Sequence, residues 1–116
     1  MEIPADMQKV LRPNETVVLF VDSRTHHETT IDSLLLTNER IIIGRENPQT
    51  DKTDLTSHAY ADVTGVGLEK GFMRSIIRLR LKAGGTSMDS IRLPPKVDEQ
   101  VLGILKDKVC GRPGPC

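Results

Sequence analysis

The stretch SLLLTNERIIIGR, residues 33–45, is the part of the sequence that decides the fold. Two runs of branched apolar residues flank the polar break Thr37-Asn38-Glu39-Arg40, and each run has about the length of a β-strand. Asn38 tolerates the left-handed backbone that a tight turn can require. The pattern predicts a β-hairpin, and with it a strand-built chain whose function lies in loops and exposed faces.

Further strand patterns lie on both sides of this hairpin. Residues 15–23, ETVVLFVDS, are apolar at every position from 17 to 21, which predicts a strand buried on both faces or one that crosses between two sheets. The charged, turn-rich residues 46–54 predict a loop. Strands are predicted over residues 55–60, 63–69, 75–82 and 88–93. Seven short strands joined by turns indicate a barrel or a sandwich.

The two ends of the chain are the parts predicted to be helical. Residues 4–11 predict at most one short helical turn before the first strand. After Pro94-Pro95 the apolar residues recur at helical spacing and form one stripe, namely Val97, Val101, Ile104, Leu105 and Val109. Acidic residues in its first turn and lysines in its last favour the helix dipole. This helix is expected to plug one open end of the barrel.

Composition narrows the classes of function. The 116 residues are enough for one domain, and 16 Lys plus Arg balance 16 Asp plus Glu. One Tyr, two Phe and no Trp leave little to stack on bases, so no nucleic-acid partner is expected. No apolar run approaches the ~20 residues that span a bilayer, and no signal peptide is evident. The expected location is the cytoplasm.

The C-terminal residues are predicted to differ from the rest of the chain. Cys110 and Cys116 frame a segment rich in Gly and Pro, and two cysteines are too few for a disulfide framework. We therefore expect residues 1–110 to form a single domain and residues 111–116 to be a flexible tail with a free thiol.

Candidate catalytic and metal-binding residues do not combine into a known motif. The aspartates are scattered over connections and strand edges, and no pair shares one element as an acid–base couple would. Nucleophile-elbow and phosphate-loop motifs are missing. On a strand the adjacent His26 and His27 would point to opposite faces and could not both bind a metal, although in a loop they could. We expect them in the solvated connection of residues 24–30, since further metal ligands are missing, and we expect His58 on a strand surface. We expect no enzyme activity, no cofactor and no metal.

Basic side chains on one predicted strand are the main candidates for binding. Alternation puts Ile77, Leu79 and Leu81 on one face and Arg78, Arg80 and Lys82 on the other, and Arg74 and Arg92 could extend this row. Two interpretations stay open: an anion-binding patch, or an ordinary solvent face kept charged against edge pairing. The candidate anion-binding residues are Arg24, His26, His27, Arg78, Arg80 and Lys82. Arg40 is predicted to tie down loop carbonyls.

Several motifs resemble one family when they are taken in order. LLLTNERIII, residues 34–43, resembles the L-x-x-T-N-x-R-hydrophobic hairpin of the bacterial PH-like domains, and YADV, residues 60–63, resembles their Y-x-D-I/V segment. KGF at residues 70–72 and the final apolar helix continue the resemblance over most of residues 11–109. Seven strands followed by a capping helix are similar to the pleckstrin-homology (PH) superfold, whose GRAM and GLUE members carry a related L-T-x-x-R element.

The resemblance implies both a fold and a function. The implied fold is mainly β, a PH-like seven-stranded barrel or sandwich capped by one C-terminal α-helix. The implied function is a non-catalytic binding or scaffolding module that acts through a protein partner or as a homo-oligomer, by way of strand edges. Phosphoinositide binding is not implied, since the helix has no Trp and residues 22–30 lack the K-x-R arrangement. The alternative is binding of anionic lipid, which would place the protein peripherally at a membrane.

Overall fold

The computed structural model describes residues 5–21, 32–47, 52–72, 74–82 and 88–110. In these ranges seven strands form two antiparallel sheets. The first sheet has the order β1 (Val17–Val21), β2 (Ser33–Thr37), β3 (Arg40–Asn47) and β4 (Lys52–Ala59). The second sheet has the order β5 (Val63–Glu69), β6 (Ser75–Leu81) and β7 (Met88–Leu93). Helix α1 (Ala5–Gln8) precedes the strands, and helix α2 (Asp98–Cys110) follows them.

The predicted hairpin is the centre of the first sheet. Leu34 pairs with Ile43, Leu35 with Ile42 and Leu36 with Ile41 across a two-residue loop. Alternate residues of both strands face the second sheet and belong to the main core. Leu35 and Ile42 face the other way and pack with Met7 and Phe20. Both faces of the hairpin are therefore covered, which is why its sequence shows unbroken apolar runs rather than alternation.

The second sheet and α2 complete the main core. Ile77, Leu79, Ile91 and Leu93 are fully buried on the face of the second sheet that meets the first. Val101 and Leu105 of α2 are fully buried in the same cluster, and the rest of the predicted helical stripe packs partly against it. The helix lies mainly against β5. The predicted fold class is confirmed, and the architecture is a sandwich because the described strands do not close into a barrel.

Two predicted segments differ from the structure. Val17 and Val18 are exposed because β1 is an edge strand, and only Phe20 and Val21 at its end are buried. The predicted loop over residues 46–54 is too long, since β3 continues to Asn47 and β4 begins at Lys52. In this extension Arg45 pairs in register with Asp54, and opposite charges on facing strands favour pairing.

The polar residues of the hairpin loop bind the N-terminal segment. The Thr37 hydroxyl donates to Glu15 Oε2 at 2.6 Å, and the Arg40 guanidinium donates to both oxygens of the same carboxylate at 2.8 and 3.0 Å. Arg40 also donates to the Val10 carbonyl, so the prediction that it ties down carbonyls is confirmed. Its main partner, Glu15, is a residue that sequence reasoning did not identify.

The Glu15 carboxylate is buried yet stays charged. The hydrogen bond from Arg40 is the main cause that lowers its pKa; burial opposes this, and the Thr37 hydroxyl and the Arg12 amide assist. The resulting pKa is about 2, against an ordinary value of 4.5.

Asn38 and Tyr60 extend this network. The Asn38 side-chain oxygen accepts from the Thr16 amide at 2.8 Å, and the Tyr60 hydroxyl donates to the Thr37 carbonyl at 2.7 Å. Burial and the Glu15 charge raise the pKa of Tyr60 to about 12. The T-N-x-R element thus joins the N-terminal segment, the hairpin and the 3-10 turn Tyr60–Asp62 that follows β4.

Candidate functional site

The outer face of the second sheet, the face directed away from the first sheet, carries the predicted basic residues. Along β6, Ile77 and Leu79 are fully buried, whereas Arg78 and Arg80 are exposed on the opposite side. Lys82 lies one residue beyond the end of β6 and is also exposed. The predicted alternation is confirmed, and the structure brings Arg78 and Arg80 together on one surface.

A shallow depression lies beside these arginines. In the register of the sheet, Gly67 is opposite Arg78, and Gly65 and Met88 lie on either side of Arg80. At these two positions the outer side of β5 carries no side chain, so the strand backbone there forms a floor. The depression has a volume of about 290 Å³ and is lined by Thr64, Gly65, Val66, Gly67, Arg78, Arg80 and Met88. We call this surface the glycine-floored depression.

The internal packing of the protein does not require glycine at these two positions. A Cβ added to Gly67 would meet nothing within 4 Å, and one added to Gly65 would be 3.7 Å from the Arg80 Cβ, an ordinary contact. Glycine inside a strand lowers stability, and it often marks a place where another molecule approaches the backbone closely. The glycines therefore keep the depression open at some cost in stability.

The arginines of the depression are only weakly engaged within the molecule. Arg78 donates to Glu69 Oε2 at 2.8 Å, but both side chains are at least half exposed, so this pair contributes little and can exchange. Among the described residues, the Arg80 and Lys82 side chains have no hydrogen-bond or ion-pair partner. Within the described ranges, no ion pair thus neutralises the charges of Arg80 and Lys82.

Other members of the predicted set do not join this face in the structure. Arg92 does not extend the row as a free cation, because its guanidinium donates to Asp32 at 2.9 Å. Arg74 is exposed just before β6 begins. Arg24, His26 and His27 lie outside the described residues.

A second polar cluster, which sequence reasoning missed, lies between the sheets. Arg45 of β3 donates to Asp89 Oδ1 at 2.8 Å and to the Ser90 carbonyl at 2.6 Å. His58 Nε2 is 2.7 Å from Asp89 Oδ2. Asp32 is almost fully buried and holds the Arg92 amide at 3.0 Å as well as its guanidinium. His58 is therefore largely buried, and its expected place on a strand surface is wrong.

The charges of this cluster are matched within the molecule. Burial by itself raises the pKa of Asp89, but hydrogen bonds from His58, from the Ser90 amide and from Arg45 together lower it. The pairs Arg45–Asp89 and His58–Asp89 each join a strand of the first sheet to β7. The cluster holds the two sheets together, and among the described side chains no three His, Cys, Asp or Glu residues lie close enough to bind a metal.

The sequence did contain a signal for this cluster. In β7, Asp89 has the same strand phase as the buried Ile91 and Leu93, so alternation points it into the core. In β3, Arg45 has the same phase as Ile41 and Ile43. Charged residues in core phase on two different strands indicate a partly buried ion pair, although alternation cannot identify the partners.

Comparison with known proteins agrees with the fold described above. The family model described as bacterial PH domain matches residues 11–104. The chain belongs to this family, whose fold is typically that of a binding module. No curated protein sequence matches the chain. None of the helices in the described ranges has the length and apolar character needed to cross a bilayer.

Two solved structures share the fold. A pleckstrin homology domain from Shewanella amazonensis SB2B superposes with a TM-score of 0.67 at 18% identity, covering 92% of this chain and 95% of its own. A DUF1696 family protein with a pleckstrin-homology domain from Shewanella loihica PV-4 gives a TM-score of 0.63 at 21% identity, with 91% and 86% covered. Identities this low establish the shared fold and leave the ligand to be inferred from the surface itself.

Proposed function

We propose that this chain is a non-catalytic binding or scaffolding module that acts through a protein partner or through self-association. The surface that we assign to this function is the outer face of the second sheet. The single observation that carries the proposal is the glycine-floored depression with Arg78 and Arg80 beside it. Internal packing does not require the two strand glycines, and the two arginines beside them make few contacts within the protein. These features are typical of a surface that another molecule approaches.

The chemistry of the depression favours an extended, acidic protein segment. Arg78 and Arg80 are alternate residues on one strand face, so they repeat at roughly 7 Å. Carboxylates on alternate residues of an extended partner segment repeat at the same distance, and the open outer side of Gly65 and Gly67 leaves room for an apolar side chain of that segment. Each exposed charge contact is worth at most about 1 kcal/mol, so affinity comes from their sum together with the apolar contact.

The strand edges offer a second means of protein contact. β4 and β5 are the strands at which the two sheets separate, and in the described ranges neither pairs with a strand of the other sheet. Unpaired edges can receive an added strand from a partner or from a second copy. Non-catalytic action is supported by the inter-sheet cluster, because its carboxylates are already held by Arg45, Arg92 and His58.

Charge reversal on the outer face tests this proposal. Arg78→Glu with Arg80→Glu should leave the melting temperature nearly unchanged, because both side chains are exposed. If the native chain self-associates in sedimentation velocity, the double variant should not. If the native chain recovers partner proteins reproducibly in a pull-down, the double variant should fail to recover them. The control is Lys96→Glu with Lys106→Glu, which changes the net charge by the same amount at exposed positions away from the outer face. This control should keep self-association and partner binding.

The same variants separate protein binding from lipid binding. Sedimentation with vesicles that contain phosphatidylglycerol measures the lipid alternative, which should weaken as salt is added. If the arginine reversal removes only vesicle binding, the outer face is a lipid-binding surface and the protein-binding proposal is wrong. If the arginine reversal removes neither protein binding nor vesicle binding, the two arginines are ordinary solvent-exposed residues.

A further inference from the structure

An aromatic ring projects from the β5–β6 turn. The chain has two phenylalanines; Phe20 is buried at 9% exposure, whereas Phe72 is 99% exposed. An apolar ring held wholly in water forgoes the free energy of burial. Single exposed apolar residues are nevertheless common, so exposure alone does not identify a site. The turn and its charges supply the additional observations.

The turn that presents Phe72 depends on glycine. An ideal Cβ on Gly71 would lie 2.2 Å from the backbone oxygen of Arg74, a distance that real Cβ atoms do not reach. Any other residue at position 71 would force the backbone to shift. Gly71 therefore allows the close approach of residues 71 and 74, the two residues that bracket Phe72 in the turn.

The charges on the hairpin that carries the ring are mostly positive. Lys70 and Arg74 lie two residues before and two residues after Phe72, and both are exposed. From residue 69 to residue 82 the hairpin carries five cationic side chains and one carboxylate, in a chain whose net charge is zero. The Lys70–Glu99 pair is 60% and 75% exposed, so water screens it and Lys70 can exchange partners.

We propose that Phe72 inserts into the interface of an anionic phospholipid bilayer, with Lys70 and Arg74 on the lipid headgroups. A membrane interface favours an aromatic ring beside basic residues. A protein is the less suitable occupant, since a specific interface buries about 800 Å² on each partner and one projecting ring supplies a small part of that. This membrane contact uses the hairpin tip, whereas the glycine-floored depression lies farther along the same hairpin, so a change of Phe72 tests the tip alone.

The absence of tryptophan from the sequence makes a direct test simple. Phe72→Trp places the single indole at the tip, and vesicles of phosphatidylcholine and phosphatidylglycerol in equal parts serve as the probe. With these vesicles, the fluorescence emission of the indole should shift to shorter wavelength, and bromine-labelled acyl chains should quench it. Vesicles of phosphatidylcholine alone should give no shift. Val18→Trp, at a 44% exposed position on β1, is the matched control and should not respond.

A second variant measures how much the ring contributes. Phe72→Ser should weaken sedimentation with the anionic vesicles by roughly tenfold, because it removes a bulky apolar group from the lipid interface. Native binding by Phe72→Ser, or unchanged emission of Phe72→Trp with vesicles, would overturn the proposal. An emission shift that follows protein concentration without vesicles would also overturn it, by showing that the ring meets protein.

Discussion

At the scale of single residues, Glu15 explains why the T-N-x-R element exists. A carboxylate can be buried only if donors compensate for the water it loses, and Thr37 and Arg40 provide three such hydrogen bonds. The sequence identified Arg40 as a structural residue through its many donors. It could not identify Glu15, because the two residues are 25 positions apart and no local period relates them.

The Glu15 network predicts a specific loss of stability in acid. The pKa of Glu15 is about 2 in the folded chain and 4.5 ordinarily, so its contribution is complete above about pH 4.5 and disappears as pH falls to about 2. We expect this loss to be on the order of 3 kcal/mol. Urea denaturation over this pH range should give a shallower decline for Glu15→Gln, which is less stable at neutral pH. Parallel declines in the two proteins would show that Glu15 is not strongly coupled to folding.

At the scale of elements, the spacing of apolar residues predicted the type of each element better than its burial. The helical stripe indicated α2 because its apolar spacing does not depend on the partner that covers it. The exposure of Val17 and Val18 could not be predicted in this way, since an apolar run does not reveal whether its strand is central or at an edge. Burial of a strand depends on its neighbours in the sheet.

The contribution of α2 can be measured at Leu105. This residue is fully buried in the main core, so Leu105→Ala should cost about 2–4 kcal/mol through lost burial and a cavity. Leu102 is only partly buried on the same helix, and Leu102→Ala should cost clearly less. A loss below about 0.5 kcal/mol for Leu105→Ala in urea unfolding, within the range of surface substitutions, would mean that the helix is peripheral.

At the scale of the whole molecule, the order of elements was predictable and the assembly of distant side chains was not. Strand count, the final helix and the hairpin motif together indicated the PH-like fold. The inter-sheet cluster joins residues as far apart as Asp32 and Arg92, which only the packing of two sheets brings together. Part of the candidate site was predictable, because strand alternation indicated that Arg78 and Arg80 share one face. The depression was not predictable, because it depends on the pairing register that places Gly65 and Gly67 beside these arginines.

The most direct test of the proposed binding surface fills it without changing its charge. Gly67→Thr places a β-favouring side chain where nothing lies within 4 Å, so the free energy of unfolding should rise by up to about 1 kcal/mol. Partner binding or self-association, measured on the same protein, should fall. Gly103→Ala, at an exposed helix position with open space, should also stabilise the chain and leave binding unchanged. Native binding by a stable Gly67→Thr variant would contradict the assignment of function to this face.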